Sequence, residues 1–125
     1  PSTAQITALL DAWLSAKQAV LAGKEVPANL EQMARPPLVN EINAQRQANA
    51  ARGQIQQIDA SIRDLSIQSR SGNRIAARVT VRYQDRRLQR DGKEIDSTAP
   101  TTLVNSYVFG RDDGVWRLAA FSPAD

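Results

Sequence analysis

The most distinctive chemical feature of the sequence is a row of arginines at every fourth position between residues 74 and 90. The row comprises Arg74, Arg78, Arg82, Arg86 and Arg90. Side chains alternate between the two faces of a β-strand, so a strand through this segment places all five on one face. Guanidinium groups suit carboxylates, so this face predicts an acidic partner, although runs of charge also serve simply as solvated surface.

Two tyrosines are the other candidates for a binding surface. Tyr83 and Tyr107 each carry a hydroxyl that must find a partner when covered, which predicts positions at the rim of a pocket. Tyr83 falls on the strand face opposite the arginines, so the row lacks the interleaved aromatic rings that stack on bases, and nucleic acid is disfavoured as a partner. Trp13 and Trp116 lie on apolar stripes and are predicted to belong to the core.

Catalysis and metal binding have little support in the sequence. It contains neither histidine nor cysteine, the residues that most often act as general bases, thiol nucleophiles or zinc ligands. Asp59 with Tyr83 or Tyr107 is the one carboxylate–tyrosine combination that resembles an isomerase-type site, and Asp59 lies on a polar face. Asp112 and Asp113 are predicted to form a turn. The sequence therefore predicts no enzyme, no cofactor and no metal.

Length and composition indicate an ordinary globular chain. Residues 1–125 fit a single domain, and 42% apolar and 23% charged residues are typical of one. The net charge of +3 comes from thirteen arginines and three lysines against 13 acidic residues. No apolar stretch approaches the roughly 20 residues that span a bilayer. The chain opens on Pro1, so we expect a longer parent protein that can carry a membrane anchor, and a periplasmic or a cytoplasmic location stays open.

Three helices are predicted in the first half, at about residues 3–22, 29–34 and 37–52. Ser2 and Gln5 have the form of a capping box, and Gly23 suits a left-handed helix stop. Pro36 and Pro37 are compatible with the first turn of the third helix. Its second half, residues 43–52, is nearly all Ala, Gln, Asn and Arg, which predicts exposure.

Five strands are predicted in the second half, at about residues 55–69, 74–90, 93–97, 102–110 and 115–121. The apolar alternation of the first strand changes parity, which predicts a bulge near Arg63 or Asp64. Pro100 suits an edge or a bend between the third and fourth strands. Long bulged strands curve, so the predicted class is α+β, with the helices packed in the concavity of a curved antiparallel sheet.

The order of these elements, with two short motifs, resembles a known family. Residues 10–17 read Leu-Asp-Ala-Trp-Leu-Ser-Ala-Lys, and residues 114–118 read Gly-Val-Trp-Arg-Leu. The chain resembles, over about residues 3–121, the C-terminal, intermembrane-space-type domain of the cyanobacterial and chloroplast division J-like proteins, which is also appended to other cyanobacterial proteins. The resemblance implies a nuclear-transport-factor-two-like cone. Residues 54–59 lack the aromatic residues typical of the family there, which predicts a shallower or differently selective pocket.

The resemblance also implies a function. Such a domain is a non-catalytic interaction module that binds a peptide or tail of a partner protein, in a cyanobacterial cell-division or membrane-associated assembly. The alternative is a small-molecule-binding or catalytic cone. The residues predicted to bind the partner are Arg78, Arg82, Arg86, Tyr83 and Tyr107, and the choice between the arginine face and the open mouth of the cone is left open.

Overall fold

The computed structural model describes residues 1–124, in which three helices precede a four-stranded sheet. The helices are α1 (Thr3–Leu21), α2 (Leu30–Met33) and α3 (Pro36–Ala51). The strands are β1 (Gln54–Arg70), β2 (Arg74–Gln89), β3 (Glu94–Asp112) and β4 (Val115–Pro123). Within residues 1–124, none of the helices combines the length and apolar character needed to cross a bilayer.

The ends of the helices follow the local signals in the sequence. The Ser2 hydroxyl accepts a hydrogen bond from the Gln5 backbone at 3.1 Å, and the Ser2 backbone donates to Gln5 Oε1 at 2.7 Å. This reciprocal pair satisfies two of the free N–H groups at the start of α1, as predicted. Gly23 follows α1 with a φ of 78°, and Pro36 occupies the first turn of α3.

The sheet is an antiparallel meander in the order β1-β2-β3-β4. The register between β1 and β2 shifts between Ile62 and Asp64, which confirms the predicted bulge and leaves Arg63 as the extra residue. A second shift in β1 and two between β2 and β3 increase the curvature of these long strands. The helices pack against the concave side of this sheet, here called its inner face.

One prediction about the strands is wrong: residues 93–97 and 102–110 do not form two strands. β3 is continuous from Glu94 to Asp112 and passes through Pro100. Pro100 is tolerated because the register with β2 shifts between the pairs Tyr83–Thr101 and Asp85–Thr98, and because β4 pairs with β3 only from Asn105 onward. Residues 94–103 therefore have no β4 partner along one edge, where the missing N–H group of Pro100 disrupts no ladder.

The core lies between the apolar stripes of the helices and the inner face of the sheet. Trp13 is 2% exposed and Phe109 is fully buried, and these two are the largest of the fully buried side chains among the described residues. Trp116 is half-buried and packs against the edge of this cluster. The buried members include Ile6, Leu10, Val20, Leu38, Ile42, Ile75, Ala77, Val79, Val81 and Leu118.

The segment between α2 and α3 covers the outer edge of β4. Ala34 forms a parallel bridge with Leu118, and the Arg35 backbone donates to the Leu118 carbonyl at 2.9 Å. The Arg35 side chain then binds both carboxylate oxygens of Asp112 at 3.0 Å, and Arg117 Nη2 binds Asp112 Oδ2 at 2.8 Å. Hydrogen bonds from Arg35 and then Arg117 hold the pKa of Asp112 below its usual range, against a smaller opposing effect of burial.

Asp112, predicted as a turn former, pairs with Val115 and directly precedes the two-residue turn, and it also has a second role. The left-handed residues of the β3–β4 turn are Asp113, with a φ of 51°, and Gly114, with a φ of 81°. Asp112 is the last residue of β3 and joins the helical segment to the hairpin through its two arginine partners. Local turn preference correctly identified Asp113, whereas Arg35, the partner that connects Asp112 to the helical segment, lies 77 residues away in sequence.

Candidate functional site

Four arginines share the outer face of β2, opposite the helices. Arg74, Arg78, Arg82 and Arg86 are all exposed, whereas the residues between them that face inward, such as Val79 and Val81, are buried. We call these four residues the arginine face. Arg90, predicted as a fifth member, lies in the turn after β2. Leu88 has the same parity as these arginines but is 7% exposed, and it pairs with Ile55 on β1.

The arginine face carries an excess of positive charge. Arg82 pairs with Ser61 on β1 and with Thr102 on β3, which are neutral. Arg86 donates from Nε to Gln57 Oε1 at 2.7 Å. Asp59 and Asp64 share the face, because they pair with Gln84 and Thr80 respectively, so four arginines face two aspartates on these two strands.

A groove of about 700 Å³ adjoins the arginine face at Arg86. Residues of α1 line one side of it and residues 94 and 97–100 of β3 line the other, with β1 and β2 between them. Its lining mixes small apolar and polar side chains, among them Ala19, Ala22, Asp59, Gln84, Thr98 and Pro100. The groove therefore presents an extended, partly apolar surface beside an exposed cation. We call it the large groove.

A second, smaller cavity of about 270 Å³ lies on the inner face, between α1, α3 and the strands β1 and β2. Its polar lining includes Lys17, Asn49, Tyr83 and Arg87, and Leu21 and Ile58 provide apolar walls. Burial lowers the pKa of the Lys17 ammonium, and the charge of Glu41 partly opposes this shift. We call this space the inner cavity.

Tyr83 forms a short hydrogen bond beside the inner cavity. Its hydroxyl donates to Asp85 Oδ2 at 2.6 Å, and Gln56 Nε2 and the Thr98 backbone also donate to the Asp85 carboxylate. Burial, followed by the bond to ionised Asp85, raises the pKa of Tyr83. Burial also acts to raise the pKa of Asp85, but the hydrogen bonds outweigh it and lower that pKa overall. Asp85 is thus held as an anion, which makes it a weak base.

Tyr107 does not lie at an accessible rim, contrary to expectation. It is 4% exposed, and its ring stacks on Phe121 with the centroids 5.6 Å apart. Its hydroxyl accepts a hydrogen bond from Asn105 Nδ2 at 3.4 Å, and burial raises its pKa. The tyrosine lies on the inner face because it pairs with Ala77, in the middle of the buried alternation of β2.

The residues predicted to bind a partner therefore fall into two groups. Arg78, Arg82 and Arg86 lie together on the outer face, and Tyr83 and Tyr107 lie on the inner face. They do not form one continuous surface. That any of them binds a partner stays a prediction.

The carboxylate–tyrosine combination considered for catalysis is not assembled. Asp59 is exposed on the outer face and accepts a hydrogen bond from Gln84 Nε2 at 3.2 Å, whereas Tyr83 lies on the opposite face of the sheet. In the described part of the chain, no group of three or more Asp or Glu side chains is placed to hold a metal ion.

Sequence reasoning missed three residues of the inner cavity. Lys17 lies in the apolar stripe of α1, between Trp13 and Val20. This spacing indicates that the aliphatic part of its side chain is buried. Asn49 follows buried Ile42 by seven residues, which places both on one face of α3. Arg87 differs in parity from the arginine face, so strand alternation directs it inward.

A model of one protein family matches most of the chain. The family is described as "ARC6-like, IMS domain", and the match covers residues 7–119. No curated protein sequence is significantly similar to the chain.

Solved structures share the fold at low sequence identity. The intermembrane space region of the chloroplast protein ARC6 superposes with a TM-score of 0.76 at 11% identity, over 98% of this chain and 96% of that one. Aln2 from a Streptomyces species has a TM-score of 0.55 at 12% identity, over 98% and 93% of the two chains. A putative calcium/calmodulin-dependent protein kinase II association domain from Xanthomonas campestris has a TM-score of 0.55 at 14% identity, over 99% and 89%. The architecture is thus a nuclear-transport-factor-two-like cone, as predicted.

Proposed function

The chain belongs to the ARC6-like IMS domain family, and from this premise we propose that it is a non-catalytic module that binds a segment of another protein. The setting we propose is a cell-division or other membrane-associated assembly, in keeping with a relative that is the intermembrane space region of a chloroplast protein. The partner segment is an acidic peptide or tail.

The observation that carries this proposal is the contact between the large groove and the arginine face. A space of about 700 Å³ is flanked by α1 and β3 and has Arg86 in its lining. Arg82 and Arg78 continue the positive charge along the same strand face. An extended peptide could place apolar residues in the large groove and carboxylates against the arginine face of β2. Guanidinium groups bind carboxylates well at partly desolvated sites, so such a peptide would contact both surfaces favourably.

A catalytic function has less support. Asp85 accepts a hydrogen bond from the Tyr83 hydroxyl, and its hydrogen bonds keep it ionised and weakly basic. Asp59 and Tyr83 lie on opposite faces of the sheet and cannot act on one substrate. A nucleic-acid partner is also disfavoured, since Tyr83 faces away from the arginines and offers no stacking platform beside them.

The experiment reverses two charges and measures peptide binding. A fluorescein-labelled peptide of alternating Glu and Leu is titrated with the protein and with the variant Arg78→Glu/Arg82→Glu, and fluorescence anisotropy is recorded at low and high salt. At about 1 kcal/mol for each reversed charge, the variant binds roughly 30-fold more weakly, and salt weakens the wild-type complex.

Two controls make the result specific. The variant Arg52→Glu/Arg111→Glu has the same net charge, with both changes at exposed positions outside the arginine face, and should bind like the wild type. Ala99→Trp obstructs the large groove without changing charge and should also weaken binding. Unchanged affinity in Arg78→Glu/Arg82→Glu rules out the arginine face, and unchanged affinity in Ala99→Trp rules out the groove.

A further inference from the structure

The inner cavity contains more hydrogen-bond donors than the surrounding protein satisfies. Asn49 is 7% exposed, and its Nδ2 has no partner within residues 1–124. Arg87 Nε is likewise buried without a partner among the described residues, while its Nη1 lies 3.6 Å from Asp96 Oδ2. Both residues line the cavity. An unpaired buried donor costs about 1–3 kcal/mol, which a ligand with acceptor oxygens can offset.

Lys17 adds a positive charge to the same space. Its ammonium lies 5.4 Å from the centre of the Phe121 ring, over the ring face, and Glu41 is the charged neighbour that acts on it. The ammonium carries three N–H donors. Its cation–π contact with Phe121 is an electrostatic attraction to the ring face and provides no lone pair that would accept a hydrogen bond from them. Lys17 lines the cavity together with Asn49 and Arg87, so its ammonium is a third group that can donate to a ligand there.

The remaining neighbours limit the charge of a suitable ligand. The Tyr83 hydroxyl donates its hydrogen bond to Asp85, so its oxygen can only accept hydrogen bonds from a ligand. Asp85, Glu41 and Asp96 surround the cations with negative charge, which disfavours a ligand with two or more anionic groups. A single carboxylate matches the donors, because its two oxygens can accept hydrogen bonds from Asn49 Nδ2 and Arg87 Nε, which have no partner among the described residues.

Size and wall chemistry define the rest of the ligand. A cavity of about 270 Å³ is at the small end of ligand pockets, and Leu21 and Ile58 supply apolar walls. We propose that the inner cavity is a binding site for a small aliphatic monocarboxylate, with the carboxylate held by Asn49, Arg87 and Lys17 and the chain packed against Leu21 and Ile58. This site lies on the opposite face of the sheet from the arginine face and does not depend on peptide binding there.

Hexanoate is the probe for this site, and hexanol is its uncharged counterpart. Two-dimensional amide NMR with increasing hexanoate should shift the resonances of Lys17, Asn49 and Tyr83 in a saturable way, and hexanol should produce no saturable shift of these resonances. Arg87→Met and Asn49→Leu should each weaken hexanoate binding by about tenfold or more, the loss expected for a hydrogen bond to a charged group.

The matched control is Arg82→Met, which removes the same guanidinium from the outer face. It should leave hexanoate binding unchanged, and so should Arg78→Glu/Arg82→Glu. The hexanoate experiment therefore tests the inner cavity independently of peptide binding at the arginine face. The site is disproved if hexanoate causes no saturable shift, if hexanol binds equally well, or if neither Arg87→Met nor Asn49→Leu changes the affinity. Native amide spectra of both variants establish that a lost signal reflects binding and not unfolding.

Discussion

Replacing Asn49 by leucine should stabilise the protein, because the native side chain buries a donor that has no partner. Asn49 is 7% exposed, and its Nδ2 is unsatisfied among residues 1–124. Removing such a donor regains about 1–3 kcal/mol, and leucine, of similar size, adds a helix preference of about half a kcal/mol in α3. We expect the free energy of unfolding to rise by roughly 1.5–3.5 kcal/mol, which corresponds to a rise in Tm of about 6–14 °C for a chain of this length.

Urea unfolding followed by far-ultraviolet circular dichroism and by tryptophan fluorescence measures this change. Trp13 is a suitable reporter because it is 2% exposed in the folded protein. The matched control is Asn40→Leu, at an exposed position on the same helix, where leucine improves helix preference without removing a buried donor. This control should be stabilised by only about half a kcal/mol.

The comparison of the two variants decides the result. If Asn49→Leu is no more stable than Asn40→Leu, the buried amide of Asn49 does not destabilise the folded protein, and the reasoning about unsatisfied donors in the inner cavity is refuted. If it is more stable and also binds hexanoate more weakly, the native residue is retained at the expense of stability. That combination is typical of binding sites, where groups are preorganised for a ligand and not for the fold.

Two further predictions concern the cluster around Asp112. Because Arg35 and Arg117 lower the folded-state pKa of Asp112, the ionised carboxyl stabilises the fold above the ordinary aspartate value of about 4, and this contribution is lost as pH falls through the lower folded value. The urea midpoint of Asp112→Asn should therefore lie below that of the wild type at neutral pH. The difference between the two midpoints should become smaller as the pH falls below about 4. A difference that does not depend on pH would contradict the ion-pair explanation. Gly110→Ala should lower Tm by about 2–4 °C, the loss of one partly exposed ion pair, since the added Cβ would lie 2.0 Å from Arg35 Nη2 and must displace the guanidinium. Gly72→Ala, with no atom within 4 Å of its Cβ, should not lower Tm.

The parts of the fold that could be predicted from the sequence are those fixed by neighbouring residues. The capping box at Ser2 and the left-handed residue Gly23 define α1 through groups within one turn of the helix. The bulge at Arg63 was visible because the apolar alternation of β1 changes parity there. The placement of Arg78 and Arg82 on one outer face follows from the same alternation, without knowledge of which strands pair.

The parts that could not be predicted depend on partners far along the chain. Pro100 suggested a break, but β4 ends its pairing before this residue and β2 shifts register beside it, so the strand continues. Arg90 does not belong to the arginine face, because β2 ends at Gln89 and Arg90 lies in the turn that follows. Asn49 was expected to be exposed in a polar helix end, and its burial depends on how α3 meets the sheet.

The arginines show why overall charge is a weak guide to function in this chain. The net charge of +3 treats thirteen arginines alike, yet the fold separates them into different environments. Arg35 and Arg117 are bound to Asp112 and support the β3–β4 hairpin. Arg86 and Arg87 are adjacent in sequence but extend to opposite faces of β2, one into the large groove and one into the inner cavity. A single strand can thus supply cations to two separate sites, and only the variants that distinguish these faces can assign a function to either.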